Sequence, residues 1–308
     1  MKIGVVGVGA MGSVYAALLA RGGHEVWAID RWREHIEAIR AHGLRVEGAS
    51  GDHTVAVHAT TDAAEVGPCE LVVIATKAMD VAAAAKTAKA LLGPDTPVLA
   101  IQNGLGSGEA VQGVVGPDRV VIGVAGGFGG SIIGPGHARH EGWELIRLGE
   151  IDGPVTPRLE RIAEAWRAGG FKVKAFDDIH QLIWEKLICN ISFSPVCTLT
   201  GLKVGAVVAN ADTFAVSAGL AGEGYAVARA KGIRLDFDDP VAYVRAFALK
   251  IPDGRPSMLQ DIEAGRRSEI DAINGGVART GREVGVATPV NDTCIALVKG
   301  REAALGLR

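Results

Sequence analysis

Three glycines within the first dozen residues constrain this chain more than any other feature. Gly7, Gly9 and Gly12 take the spacing G-x-G-x-x-G, after the β-branched run KIGVVG (residues 2–7) and before a good helix former that stops at Gly22-Gly23. Strand, turn and helix in succession suit a dinucleotide fold. The first glycine makes the tight turn, the second lets backbone approach a pyrophosphate, and the third lets helix pack on strand. The anion would lie on the helix N-terminus, where unbonded N–H groups and the dipole favour negative charge. A second strand, HEVWAID, ends in Asp30, 23 positions after Gly7 and near the separation the motif requires. Residues 3–20 are uncharged over 18 positions, as a membrane span would be, but four glycines among their first ten residues weaken an isolated helix.

At 308 residues, 48% apolar and 22% charged, the chain has globular composition and room for two domains. A net charge of -3 gives no general attraction to nucleic acid or to an anionic membrane. From Asp178 onward 15 Lys/Arg balance 15 Asp/Glu, so no basic stripe is hidden there. Cys69, Cys189, Cys197 and Cys294 are scattered without a C-x-x-C, and read as reduced, buried thiols of a cytoplasmic protein.

Residue types at the strand ends bear on the cofactor. A carboxylate after the second strand suits the ribose 2′-hydroxyl of NAD and an arginine the 2′-phosphate of NADP; here Asp30 is followed by Arg31. Residues 43–60 alternate like a small strand pair. The apolar run ELVVIAT (70–76) fits a parallel sheet covered on both faces, and Lys77 follows at the strand's carboxyl end, where ligands of open α/β sheets lie. Residues 96–102 form the next strand, broken by Asn103-Gly104 at the same edge; asparagine there offers a donor and an acceptor to a ligand, or tolerates a left-handed turn. A strand over 119–125 leads into the glycine-rich residues 126–136. Strands near Trp143 to Leu148 and Phe171 to Phe176, around a helix from Thr156 to Ala168, end the alternation. The fold class is therefore α/β, with a Rossmann dinucleotide-binding domain over residues 1–177 and an all-helical domain over 178–308.

Within the strongly apolar segment 179–194, Lys186, Asn190 and Ser194 stand at i, i+4 and i+8, on one helix face. With Trp184, Leu187, Ile188, Ile191 and Phe193 wrapping the rest, that stripe suits a wet cleft better than open solvent; Pro195 should end or kink the helix. Small residues over 206–232 suit a monomer core or a homodimer interface equally. Ser257 and Gln260 have capping-box spacing, starting a helix expected to run through Gly265 and Glu269 to Asn274, and Thr288-Pro289 should cap and start a last helix to about Lys299.

These blocks together resemble the ketopantoate reductase (2-dehydropantoate 2-reductase) family of 6-phosphogluconate-dehydrogenase-like enzymes: GVGAMG (7–12), Lys77, QNG (102–104), WEKLICN (184–190), and SMLQD with SEIDAING between Ser257 and Gly275. The resemblance implies NADPH-dependent reduction of a small 2-oxo acid, ketopantoate, to the 2-hydroxy acid pantoate. By likeness Lys186 is the general acid; Asn103, Asn190, Ser194 and Ser257 hold substrate; Glu269 and Lys77 contact cofactor and order the site. Gly7, Val8, Gly9, Ala10, Met11 and Gly12 cradle the pyrophosphate, Arg31 takes the 2′-phosphate, and Asn103 and Ala125 line the cofactor groove. No metal is required. The chemistry agrees, since hydride arriving at a ketone carbon leaves an alkoxide that needs a proton donor and positive charge, and a buried lysine supplies both. Ser194 stands where the family usually has a second asparagine, and Val204 where another polar contact is expected, so a different branched 2-oxo acid or an imine is the alternative substrate. The same blocks argue against a sugar-phosphate or β-hydroxy-acid dehydrogenase, whose lysine and asparagine stand three apart, and against a sensor that binds cofactor without turnover.

Overall fold

The computed structural model describes residues 1–127, 129–142 and 145–307. The chain divides into two compact units, Met1–Gln102 with Ser107–Ile179, and Asn103–Gly106 with His180–Arg308. Residues 103–106 thus group with the second unit, which a single break after residue 177 does not anticipate.

The first unit runs β1 (Lys2–Val6), α1 (Ala10–Arg21), β2 (Glu25–Ile29), α2 (Arg33–His42), β3 (Leu44–Gly48), β4 (His53–Val55), β5 (His58–Thr60), β6 (Leu71–Ile74), α3 (Val81–Ala88), β7 (Val98–Ala100), α4 (Ser107–Val115) and β8 (Val120–Ala125). It continues with β9 (Gly129–Gly134), β10 (His137–Glu141), β11 (Leu145–Glu150), α5 (Pro157–Ala168) and β12 (Lys172–Ala175). The main sheet has the order β12-β11-β8-β7-β6-β1-β2-β5. Its neighbours are parallel except for the antiparallel pair β8 and β11. Ile3, Val5, Leu71, Val73, Leu99 and Val121 are buried, as continuous apolar strands covered on both faces must be. Tyr15 of α1 meets Trp166 of α5 edge-on at 5.0 Å between ring centres, adding an aromatic contact to that layer.

A second sheet, β4-β3-β10-β9, packs against α1. The strand pair read from residues 43–60 is β3 with β4, whereas β5 leaves it and extends the main sheet beside β2. The glycine-rich stretch supplies β9, paired with β10. Trp143, where a strand was expected to begin, lies outside the described residues; β11 is described from Leu145.

The second unit comprises, among the described residues, α6 (Ile179–Thr200), α7 (Val204–Ala209), α8 (Ala211–Ala230), α9 (Pro240–Lys250), α10 (Ser257–Glu263), α11 (Asn274–Val284) and α12 (Pro289–Ala304). Four sequence expectations need correction here. Of the two outcomes expected at Pro195, an end or a kink, the end does not occur: α6 continues to Thr200. The long helix expected from Ser257 stops at Glu263, because Gly265 turns into the left-handed region at φ +67° and the chain then loops to Asn274. Ser257 is not a cap: it is the first helical residue after Pro256, and the Gln260 side chain reaches instead to the Arg255 carbonyl at 2.8 Å. Thr288 occupies the cap position of α12 but its hydroxyl caps no N–H and donates instead to Asp292 at 3.4 Å, and Glu223 of α8 takes the Val290 and Asn291 N–H groups at 2.8 and 2.9 Å. Helix α9 escaped the sequence reading although Asp239-Pro240 announces it; Asp239 accepts from the N–H groups of Val241 and Ala242.

Candidate active site

Sterics give each glycine of the first turn a separate task. Gly7 has φ +92°, and a Cβ there would come within 2.4 Å of Thr76 Cγ2. A Cβ on Gly12 would lie 1.9 Å from the Gly7 carbonyl oxygen, so α1 approaches β1 as closely as backbone permits. A Cβ on Gly9 would meet nothing within 4 Å; that side of the turn is open. The N–H groups of Ala10, Met11 and Gly12 precede the first bond of α1, from Ser13 N–H to Gly9 C=O at 2.8 Å. Open space over a helix N-terminus with unspent donors fits a pyrophosphate. Val8 points inward and is fully buried.

Asp30 braces this turn. Its carboxylate accepts the Val8 N–H at 2.8 Å and the Trp32 N–H at 3.0 Å, so both oxygens are engaged by main chain. Arg31, 85% exposed, is drawn by Asp80 at 3.4 Å toward the short segment that follows Lys77. Lys77 is half-buried three residues past β6, and Ala125 closes β8 opposite Ile146. Gln102, quoted in the sequence motif without a role, donates from Nε2 to the carbonyls of Ile74 and Thr76 at 2.6 and 3.2 Å, tying the ends of β6 and β7 together.

Two buried residues support the turn from behind, and the motif gives no hint of them. Gly136 N–H donates to His35 Nδ1 at 3.0 Å, which assigns the ring proton to Nε2. That nitrogen lies 3.1 Å from Ser13 Oγ, and Ser13 donates to the Val8 carbonyl at 2.9 Å. Burial pushes the His35 pKa down, against a smaller upward pull from the Asp30 carboxylate. An unfolded histidine binds its proton near pH 6.5, roughly, and the folded His35 only lower. Folding stability from this group is therefore complete above that pH and declines as pH falls below it. The expected result is a shallower loss of unfolding free energy between about pH 6.5 and 5 in His35→Gln than in the parent, measured by urea titration. His140, buried and shifted the same way, keeps part of the slope in both proteins. Equal slopes would remove His35 as a source.

In the second unit, Lys186 is half-buried on α6 and its Nζ donates to Asn103 Oδ1 at 2.7 Å. Asn103 is held in place by its neighbours. Gly104 takes φ +84°, where a Cβ would sit 2.4 Å from the Ala272 carbonyl oxygen, and Leu105 N–H donates to that same oxygen at 3.0 Å. The loop carrying Ala272 also carries Glu269, which is buried. Its Ser268 N–H is taken by Glu302 of α12 at 2.7 Å. Asn190, one turn past Lys186, is half-buried, and Ser194 is buried at 4% exposure, while Trp184, Leu187, Ile188, Ile191 and Phe193 fill the core around them. Ser257 is exposed on the first turn of α10. The spacing argument therefore finds one helix face with an ammonium, an amide and a hydroxyl, and the structure adds Asn103 to the first of these. Val204 is 1% exposed, an apolar start to α7 whose N–H bonds the Gly254 carbonyl at 3.0 Å.

Residues 3–153 match the family described as ketopantoate reductase PanE/ApbA, and residues 178–302 match its C-terminal domain. A 2-dehydropantoate 2-reductase of Archaeoglobus fulgidus is 32% identical over 305 residues, covering 99% of each chain. A PanE/ApbA family ketopantoate reductase from Ralstonia eutropha JMP134 superposes with TM-score 0.91 at 34% identity, over 99% of this chain and 100% of that one. D-mandelate dehydrogenase, solved with NADH and anilino(oxo)acetate, gives TM-score 0.90 at 28% identity over the full length of both.

Proposed function

Because the chain belongs to the ketopantoate reductase family, we propose that it reduces 2-dehydropantoate to pantoate with NADPH. The observation that carries the chemistry is the Lys186 ammonium held by Asn103 on a predominantly apolar helix. NADPH, when bound, supplies the hydride that adds to the keto carbon. Lys186 then gives one proton to the carbonyl oxygen as its charge grows, so hydride and proton together make the secondary alcohol. Asn103 accepts one of the three Nζ hydrogens and so aims the others. Asn190 and Ser194 offer further hydrogen bonds from the same face, Ser257 binds the substrate carboxylate, and Glu269 and Lys77 order the site.

For the cofactor, residues 7–12 hold the pyrophosphate and Arg31 the 2′-phosphate. Two main-chain bonds already engage Asp30, while the Arg31 guanidinium stands mostly in solvent, which favours the phosphorylated ribose. The four cysteines are buried free thiols, pushed by burial to pKa values of about 11 to 12, so none is a reactive thiolate at neutral pH; their unpaired state fits a reducing, cytoplasmic setting.

A second reading keeps the reaction and changes the acid. Val204 is fully apolar and Ser194 short, and a protein of the same fold holds anilino(oxo)acetate, so a 2-oxo acid with an apolar branch is the competing substrate. One experiment separates the readings: initial rates on ketopantoate and a panel of branched and aromatic 2-oxo acids, with NADPH and NADH. Ketopantoate with NADPH should have the highest kcat/KM, and Arg31→Ala should cost roughly 10-fold or more with NADPH and nothing with NADH. Ketopantoate turned over no faster than its competitors would remove the substrate assignment.

A further inference from the structure

Proline at position 195 creates a defect that the fold repairs from elsewhere. It has no N–H, so the carbonyl four residues earlier, that of Ile191, loses its donor inside α6. A buried carbonyl without a partner is unfavourable, and Ile191 is fully buried. Asn274, the first residue of α11 and itself fully buried, donates from Nδ2 to this carbonyl at 3.2 Å. The same amide group donates to Asn291 Oδ1 at 2.9 Å, and Asn291 Nδ2 donates to Glu223 Oε2 at 2.7 Å. Glu223 also caps α12 through the Val290 and Asn291 N–H groups. The sense of each amide follows from its partners: turned over, Asn274 would set an oxygen against two acceptors. A polar string anchored on a carboxylate thus ends on one carbonyl of α6, beside Asn190 and one turn before Pro195.

We infer that the Glu223–Asn291–Asn274 string is a positioning device for the substrate face of α6, replacing the hydrogen bond that Pro195 removes and so setting the direction of Asn190 and Ser194 relative to Lys186. The inference rests on the proposed use of that face for the 2-oxo acid. Its geometry does not, since every bond named lies within the second unit. Asn274 acts through α6 and touches no reacting atom; it is a positioning residue.

The repair logic makes a rescue experiment possible. Asn274→Leu removes both donors at similar volume, and Pro195→Ala restores an N–H to the Ile191 carbonyl. Asn274→Leu should raise KM for the 2-oxo acid and lower kcat, together roughly 10-fold or more in kcat/KM, with the Kd for NADPH unchanged. It should also speed amide hydrogen exchange in the half of α6 after Ile191. Adding Pro195→Ala should return both the kinetics and the exchange most of the way to the parent. If Asn274→Leu does not fold, Asn274→Ala with and without Pro195→Ala makes the same comparison. Loss that Pro195→Ala does not recover, or kinetics and exchange unchanged in the single variant, overturns the inference. If the parent reduces no 2-oxo acid, the functional reading fails, and the exchange measurement still decides whether the string holds α6.

Discussion

Lys186→Ala should reduce turnover of the 2-oxo acid by roughly 10²–10⁴-fold while leaving the Kd for NADPH within about twofold of the parent. Adding hydride to a ketone without a proton donor leaves an alkoxide, and the proposed mechanism gives the task of preventing this to the ammonium of Lys186, which Asn103 holds on α6. The residues assigned to the pyrophosphate and the 2′-phosphate belong to the other compact unit, so cofactor affinity has no reason to follow. Lys186→Arg should rescue little. A guanidinium keeps the positive charge, but its pKa of about 12 or more makes it a poor acid, and its fork does not fit the single bond to Asn103 Oδ1. Asn103→Leu should show a milder loss, because it takes away one oriented bond to the ammonium without removing the ammonium. The checks are single-turnover rates at saturating NADPH and calorimetric titration of the cofactor. Near-parent turnover in Lys186→Ala would remove the general-acid assignment whatever the other variants do.

What was legible in advance was local. The strand, turn and helix at the N-terminus follow from sterics among residues 7–12 and their immediate neighbours, and the structure gives each glycine a distinct steric reason. Lys186, Asn190 and Ser194 share a face because helical periodicity alone dictates it. The failures share a cause as well. Pro195 was expected to end or kink α6 because its missing N–H is visible in the sequence, whereas the amide that serves the Ile191 carbonyl in its place comes from Asn274, 83 positions on from Ile191. Ser257 looked like a cap because Ser-x-x-Gln is a local signature, yet Pro256 holds the cap position and Gln260 bonds elsewhere. Helix α12 is capped by Glu223, 67 residues earlier, which no window on Thr288 could show. The same holds at the turn. His35 and Ser13 fix the Val8 carbonyl through the hairpin at Gly136, 101 positions on from His35, so support for the glycine motif is invisible in the motif.

The glycine turn offers the second large effect, and it separates binding from folding. Gly9→Val places its Cβ where nothing lies within 4 Å, and at φ -67°, ψ -155° the backbone is extended, which a branched residue accepts. The apo protein should therefore melt within a degree or two of the parent. That same open space is what a pyrophosphate needs to reach the N–H groups of Ala10, Met11 and Gly12, so affinity for NADPH should fall by about 100-fold or more, ~2.7 kcal/mol. Gly12→Ala should do the reverse in order of cause. Its Cβ meets the Gly7 carbonyl oxygen at 1.9 Å, a backbone atom that cannot rotate away, so α1 must separate from β1. Overpacking of this kind costs about 1–3 kcal/mol, sometimes more, and should lower Tm by several degrees before any cofactor is added. Thermal melts of the apo proteins beside calorimetric titrations with NADPH distinguish the two variants. A Gly9→Val protein that binds NADPH as the parent does would show that the pyrophosphate does not lie over this turn, and the cofactor assignment of residues 7–12 would fall with it.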